Sequence, residues 1–223
     1  MARRESLPFL HPVRVDTEQR TVAHMAAALL LDYPTPATHE QGDLLRTATA
    51  SLPRPVSEAF GRFLDEPWTL AEQQAHYVST FDLKRRCALY LTYYSSGDTR
   101  RRGMALVTFV EAYRACGWEP REDELPDYLP TALELSARDP GPIADALLGT
   151  HRDGIEVLRS ALHSVPSPYA HLLDAVCLTL PAVDAATAER FSALVQAGPP
   201  SEMVGLSAPL LPFPTVRDAE VPA

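Results

Sequence analysis

Cysteine is scarce in this sequence, and the residues that occur are not arranged to act together. Cys87, Cys116 and Cys177 are far apart and odd in number, and none belongs to a CxxC pair. This spacing excludes a zinc ribbon and a thioredoxin-type redox centre. We expect buried, reduced cysteines instead, which indicates a reducing compartment.

Long apolar runs are also missing. The sequence has no stretch of about 18 apolar residues, so no membrane-spanning helix is expected. Arg3 and Arg4 suggest a twin-arginine signal, but Glu5, Pro8 and His11 interrupt the apolar segment that an export signal needs. The sequence therefore predicts a soluble, cytoplasmic protein.

Several catalytic motifs are absent as well. The sequence contains no GxGxxG, GxSxG or HExxH, no phosphate-binding GxxxxGKS/T loop, and no two histidines four residues apart. These absences predict that the protein is not an enzyme and holds no metal. A nucleotide-binding enzyme that acts through clustered arginines is the alternative, and it lacks a loop to cradle the phosphates.

The charge balance is acidic, with 29 acidic residues against 20 lysines and arginines and a net charge of -9. A nucleic-acid binder is usually basic, because neutralising phosphates dominates its affinity. The acidic charge therefore argues against a helical DNA-binding regulator. An acidic surface suits basic peptides as partners.

Apolar periodicity predicts an all-α fold. Val22, Met25, Ala26 and Leu29 form one stripe of a helix that begins at Thr17 and ends before Pro34. Further helices are expected at 38–51, 56–63, 69–82, 99–116, 132–137, 155–162, 168–180 and 184–196. About nine helices form a single bundle-like domain over residues 17–197, between a flexible arm, 1–16, and a disordered, proline-rich tail, 198–223.

The segment 87–94 is ambiguous. Its β-branched and aromatic residues are typical of a strand, whereas the helical surroundings favour a buried helix. We predict a helix.

Three segments look too specific to serve packing alone. They are Tyr77-Val-Ser-Thr-Phe-Asp82, Leu89-Tyr-Leu-Thr-Tyr-Tyr-Ser-Ser-Gly-Asp-Thr-Arg-Arg-Arg-Gly103 and Asp123-Glu-Leu-Pro-Asp-Tyr-Leu129. Together they resemble the NarJ family, the delta-subunit chaperones of respiratory nitrate reductase, within the TorD/DmsD/NarJ group of redox-enzyme maturation proteins. The resemblance covers roughly residues 20 to 180, in the same order and with similar spacing.

The resemblance implies an all-α chaperone that binds the N-terminal segment of the apo catalytic alpha subunit of nitrate reductase. It also implies help with insertion of bis-molybdopterin guanine dinucleotide, held by the client, with no cofactor bound permanently to the chaperone. A maturation chaperone for a different molybdoenzyme is the alternative. Members of the family often carry histidine where Tyr128 stands. Tyrosine cannot be cationic near neutral pH, so a pH-dependent role of that histidine is not carried over.

A site for a short basic amphipathic helix needs apolar anchors with acids at the rim. The candidate client-binding residues are Tyr90, Tyr93, Tyr94, Asp98, Glu124, Leu125, Pro126, Asp127, Tyr128 and Leu129. A tyrosine ring can bury apolar surface while its hydroxyl stays in contact with water. Leu125, Tyr128 and Leu129 are expected to form part of the groove surface. Core packing remains open for the tyrosines and leucines, and an N-cap role remains open for Asp98.

Arg100, Arg101 and Arg102 form a basic run at a predicted helix N-terminus, where the helix dipole disfavours positive charge. A possible use is contact with the pyrophosphate of the cofactor or with acids on the client. Solvated or internally paired arginines are the alternative.

Overall fold

The computed structural model describes residues 9–96, 100–120 and 123–182, together with Ala186 and Glu189. In these ranges the chain forms eleven α-helices, which confirms the predicted all-α class. Their bounds are α1 Thr17–Leu31, α2 Pro36–Glu40, α3 Gly42–Ala50, α4 Arg54–Leu64, α5 Leu70–Tyr77, α6 Leu91–Ser96, α7 Arg100–Ala115, α8 Leu129–Arg138, α9 Pro142–Thr150, α10 Arg152–Ser164 and α11 Tyr169–Thr179. A π-helix, Val78–Asp82, continues α5, and a 3-10 turn, Arg85–Cys87, precedes α6. None of the helices in these ranges is both long and apolar enough to cross a membrane.

The count of about nine helices was low, for two local reasons. The segment expected as one helix at 38–51 is two, because Thr35 caps a helix that begins at Pro36 and ends at Glu40, before α3 begins at Gly42. Pro142 starts α9, a helix absent from the expected set, because proline is tolerated in the first turn of a helix. A capping box of Thr69 and Glu72 starts α5, in agreement with the helix expected from residue 69.

In residues 9–16, the described part of the arm expected to be flexible, two apolar side chains contact the helical core. The Val13 amide donates to the Leu178 carbonyl oxygen at 2.9 Å, and Leu10 and Val13 pack against the core. The tail at 198–223 lies outside the described residues, as does most of the helix expected at 184–196.

The helix predicted for 87–94 is correct only from Leu91 onward. Before it, the chain is extended and pairs with the segment that precedes α8. The Leu91 amide donates to the Asp127 carbonyl at 3.0 Å, and the Leu129 amide donates to the Leu89 carbonyl at 2.8 Å. These backbone groups are satisfied by a distant segment instead of by a helix, which periodicity along one segment does not reveal.

Helix α1 lies at the centre of the packing. It packs against α8 on one side and α11 on another, and α11 also packs against α4 and α10. Ala23, Ala26 and Ala27 are buried on α1 and let the neighbouring helices approach closely. Of the predicted stripe Val22, Met25, Ala26 and Leu29, only Ala26 is fully buried, and the other three are half-buried at the edge of the helix's packed face.

One buried histidine joins three helices. Nδ1 of His24, on α1, lies 2.9 Å from Oγ of Ser136, on α8. Nε2 of the same ring lies 3.1 Å from Oγ1 of Thr179, on α11. The Thr179 hydroxyl donates to the Val176 carbonyl, so its oxygen accepts the proton of Nε2 and Nδ1 accepts from Ser136. Burial, and then the charge of Arg20, lowers the pKa of His24 to about 3.

A second buried cluster joins α10 and α11 through charge. Glu156 accepts from Arg152 at 2.7 Å and from Arg159 at 2.8 Å, and Arg159 also pairs with Asp174 at 3.1 Å. Two guanidinium groups and two carboxylates therefore balance in a site that is almost closed to water. His163 completes it, with Nε2 at 2.9 Å from Asp174.

The first prediction concerns pH. The pKa of His24 is lower in the folded chain than in the unfolded chain, so unfolded molecules bind the extra proton as pH falls below about 6.5. His24 therefore costs the folded state nothing above that pH and costs it about 1.4 kcal/mol per pH unit between roughly pH 6 and pH 4. Urea unfolding at several pH values should show this slope in the parent and lose it in His24→Gln. His39→Gln, at an exposed position, is the control and should keep the parent's slope.

The second prediction concerns the buried charges. Glu156→Gln leaves Arg152 and Arg159 without their shared counter-charge, so the free energy of unfolding should fall by about 3 kcal/mol. Glu58→Gln removes the exposed Arg54–Glu58 pair of the same i, i+4 spacing and should leave the free energy of unfolding close to that of the parent. Urea unfolding measures both variants. An equally small loss of unfolding free energy in the two would show that the buried cluster does not stabilise the fold.

Candidate functional site

A groove lies between α1 and α8, with the turn at 123–128 at one end. It contains a hollow of about 220 Å³. Its apolar floor is formed by Met25, Ala28, Leu29, Tyr128 and Pro130, and its polar rim by Asp32, Thr38, Asp123, Glu124, Thr131, Glu134 and Arg138. We call this surface the α1–α8 groove. Apolar floor and largely acidic rim are the properties expected of a site for a basic amphipathic segment.

A second hollow, of about 100 Å³, continues the groove past the end of α1. Leu29, Asp32 and Thr38 line both hollows, and Phe63, Trp68 and Gln73 are among the residues that line the second alone. The concave surface is therefore longer than either hollow, and Asp32 lies where the two meet.

The floor of the groove is fixed by a chain of hydroxyl groups. The Tyr128 hydroxyl donates to Asp32 Oδ1 at 3.1 Å and lies 2.8 Å from the Tyr77 hydroxyl. Burial raises the pKa of Tyr128, so its hydroxyl stays a neutral donor. Tyr77 belongs to the first of the three motif segments, which thus supports the groove from beneath.

Tyr90 fixes the acid on the opposite rim. Its hydroxyl donates to Glu124 Oε1 at 3.1 Å, and its ring lies 5.5 Å from that of Tyr128. Burial, with the nearby Glu124 carboxylate, raises the pKa of Tyr90 to about 12, which keeps it protonated. Leu125, which is 41% exposed, and the half-buried Pro126 extend this rim. Of the predicted client-binding residues, Glu124 and Tyr128 line the groove and Tyr90 contacts both, and client binding by these residues stays a prediction.

Asp127 does not lie on the rim, and its prediction as a rim charge is wrong for this conformation. Its side chain is fully buried, and Oδ2 accepts from the Thr92 amide at 3.1 Å and the Thr92 hydroxyl at 2.5 Å. Thr92 is in the first turn of α6, so the carboxylate caps that helix from a distant segment. The cause of its burial is the pairing of 89–91 with 127–129, which carries Asp127 into the core.

Leu129 and Tyr94 are likewise buried. Leu129 has no exposed surface, so the groove surface expected of it is wrong. The Tyr94 hydroxyl donates to the Ala88 carbonyl at 2.7 Å, and burial raises its pKa, so it is a core residue and not a surface anchor. Tyr93 is half-buried and its ring lies 5.7 Å from that of Tyr94.

Arg102 is engaged within the chain. Its Nε donates to Thr92 Oγ1 at 3.2 Å, its Nη2 is 3.9 Å from Asp127 Oδ2, and its guanidinium lies over the Tyr90 ring at 5.8 Å. The positive charge compensates the buried carboxylate of Asp127, which explains an arginine near the start of α7. Asp98 and the side chains of Arg100 and Arg101 lie outside the described residues.

Sequence reasoning missed the α1 side of the groove. Asp32 carries a signal that could have revealed it, because an acid that closes a helix at its negative end is locally unfavourable. Glu134 and Arg138 carry no such signal, since their i, i+4 spacing is typical of any exposed helix. In the described part of the chain, no three His, Cys, Asp or Glu side chains are grouped to hold a metal ion.

The third prediction tests the role of Asp127. Asp127→Ala removes the cap of α6 and leaves Arg102 without its counter-charge, so the free energy of unfolding should fall by about 3 kcal/mol. Glu124→Ala, in the same turn but on the rim, should lower it by less than about 1 kcal/mol. Urea unfolding checks both, and equal small losses would contradict the buried role of Asp127.

Comparison with known proteins identifies the family of the chain. A family model described as nitrate reductase delta subunit matches residues 49–175. The chain is 31% identical over 172 residues to the probable nitrate reductase molybdenum cofactor assembly chaperone NarJ of Bacillus subtilis, covering 74% of this chain and 92% of that protein. It is 33% identical over 150 residues to the nitrate reductase molybdenum cofactor assembly chaperone NarJ of Escherichia coli K12. This match covers 65% of this chain and 64% of that protein.

Another relative is much longer than the matched region. The chain is 37% identical over 163 residues to the nitrate reductase-like protein NarX of Mycobacterium tuberculosis, covering 71% of this chain but only 24% of that protein. This chain thus spans about a quarter of the length of NarX. The family model covers more than half of this chain and the match to the Bacillus subtilis protein is nearly full-length, so the chain belongs to the nitrate reductase delta subunit family, as its three motifs predicted.

Proposed function

We propose that the protein is a cytoplasmic chaperone, not an enzyme, that binds the apo catalytic alpha subunit of respiratory nitrate reductase and assists molybdenum cofactor insertion. Family membership supports the client class, since two relatives carry nitrate reductase molybdenum cofactor assembly in their names. The observation that carries the proposal here is the α1–α8 groove, whose apolar floor and acidic rim suit a short segment of the client.

The client segment in this proposal is the N-terminal peptide of the alpha subunit, bound as an amphipathic helix. An apolar stripe on such a helix would pack on Met25, Leu29 and Pro130, with basic residues facing Asp32 and Glu124. The hydroxyls of Tyr128 and Tyr90 already orient these two carboxylates, so little ordering is needed on binding.

The cofactor is the cargo of the client in this scheme. Bis-molybdopterin guanine dinucleotide would be held by the alpha subunit while the chaperone keeps that subunit open. We propose only a transient contact between cofactor and chaperone. Arg100 and Arg101 remain candidates for it, whereas Arg102 would first have to leave Thr92 and Asp127.

The fourth prediction tests the groove by calorimetric titration with a synthetic peptide of the alpha-subunit N-terminus. Saturable binding with a negative heat-capacity change is expected, because apolar surface is buried. Glu124→Lys reverses a rim charge and Thr131→Trp fills the hollow, so each should weaken binding by about tenfold or more. Far-ultraviolet circular dichroism would check that both variants remain folded.

Glu58→Lys is the matched control, because Glu58 is an exposed residue of α4 that lines neither hollow, and the affinity of this variant should equal that of the parent. Equal binding by parent and both groove variants would place the client elsewhere on the chaperone. Tighter binding of the corresponding peptide from a different molybdoenzyme would show that the client is that enzyme and that the groove is still the binding site.

A further inference from the structure

The α1–α8 groove has two distinguishable ends, because the helices that flank it run antiparallel. His24 on α1 meets Ser136 on α8, whereas Asp32, eight residues further along α1, meets Tyr128, eight residues earlier on α8. Eight helical residues span about 12 Å. A ligand lying along the groove therefore passes from an Asp32 end to an Arg138 end.

The Asp32 end is negatively charged. α1 ends there, so its carbonyl groups and dipole contribute negative charge, and the last turn of α1 contains no basic residue. Asp32 and Glu124 add two carboxylates, and Asp123 also lines this end. The positive N-terminus of α8 lies at the same end and offsets part of this charge, but two full charges outweigh one helix terminus.

These two carboxylates are held in fixed orientations. Asp32 Oδ1 accepts from the Tyr33 amide at 2.8 Å as well as from Tyr128, and Glu124 Oε1 accepts from the Leu125 amide at 2.8 Å as well as from Tyr90. Within the described part of the chain, the hydrogen bonds of each carboxylate converge on one oxygen. The second oxygen of each is thus left to face a ligand.

The Arg138 end is close to neutral. Glu134 Oε1 accepts from Arg138 Nε at 2.7 Å, so the two charges cancel locally. The Arg138 guanidinium also lies over the Trp118 ring at 5.7 Å, which holds it against the helix. The electrostatic difference between the two ends is therefore set by the Asp32 end.

We infer that the groove fixes the direction of the client helix, with its N-terminal turn and a basic side chain at Asp32 and its C-terminal turn toward Arg138. The inference rests on the proposed function, since it assumes that the client segment enters this groove as a helix. The positive end of a helix and a cationic side chain are both favoured beside fixed carboxylates. The reverse direction would bring the client's negative C-terminus against them.

The length of the groove suits a short helix. About 12 Å accommodates two helical turns, which place apolar residues at i, i+3, i+4 and i+7 on one face. Met25, Ala28 and Leu29 would receive that face along α1. A single basic residue in the client's first turn then falls between Asp32 and Glu124.

Photo-crosslinking tests the direction with the full chain and synthetic alpha-subunit peptides. One peptide carries benzoylphenylalanine in its first helical turn and another carries it in its last turn, and mass spectrometry locates the adducts. The first-turn probe should label residues 32–38 and 123–128, and the last-turn probe should label α8 near Arg138 or α1 near Met25. The opposite pattern would overturn the inference.

A double-mutant cycle tests the charge pairing independently. Asp32→Asn should weaken the parent peptide roughly fivefold, and should weaken a peptide whose first-turn basic residue is replaced by glutamine less than about twofold. Glu134→Gln, in the same groove but at the other end, is the matched control and should show no such coupling. Absence of coupling at Asp32 would overturn the inference.

The two proposals fail in different ways. If the peptides form no adducts in the groove and no groove variant alters affinity, the proposed site is wrong. The inferred direction of the client helix is then wrong as well. If the adducts lie in the groove but in reverse order, the proposed function stands and only the direction is wrong.

Discussion

The carboxylate of Asp127 is bonded to the first turn of α6, and the shape of the candidate site depends on that bond. It joins the segment before α6 to the segment before α8, which are also paired through the backbone of Leu89, Leu91 and Leu129. Arg102 brings α7 to the same point and compensates the charge. The junction places Tyr90 and Glu124 on one rim of the groove and Tyr128 on its floor, so a buried ion pair determines the position of surface residues.

Buried polar groups elsewhere serve the arrangement of helices in a similar way. Helix α1 is rich in alanine, and alanine alone gives little preference for one packing register over another. His24, bonded to both Ser136 and Thr179, satisfies its hydrogen bonds in only one arrangement of three helices. The charged cluster around Glu156 acts likewise between α10 and α11. Because α1 and α8 form the walls of the groove, the bonds of His24 also determine its width.

The sequence predicted the fold well and the site only in part, and the difference has a physical cause. Helical periodicity and capping are local, so the helix from Thr17 and the capping box at Thr69 could be found along the chain. Whether a side chain faces water depends on partners far away in sequence. Asp127 and Leu129 looked like rim and groove residues because a proline-punctuated turn is usually exposed, yet the pairing with 89–91 buries both.

The resemblance to a family identified the right turn without showing which of its faces is accessible. The residues of this turn face in different directions, so Glu124 lies on the rim while Asp127 is in the core. Asp32, which follows α1, and Arg138, on α8, lie outside the three motif segments. A motif that identifies a family can therefore mark the support of a site instead of its contact surface, as Tyr77 does beneath Tyr128.

An exposed apolar groove endangers solubility unless the rest of the surface opposes self-association. Tyr33, Trp118 and Leu125 add exposed apolar area near the groove. The net charge of -9 makes copies of the chain repel one another while it attracts a basic segment. The same charge therefore discourages self-association and favours the client, and both effects should weaken together as salt screens them. For the client, the direction of the electrostatic field along the groove matters as much as its size. The groove is negative at the Asp32 end, whereas the charges at the Arg138 end balance.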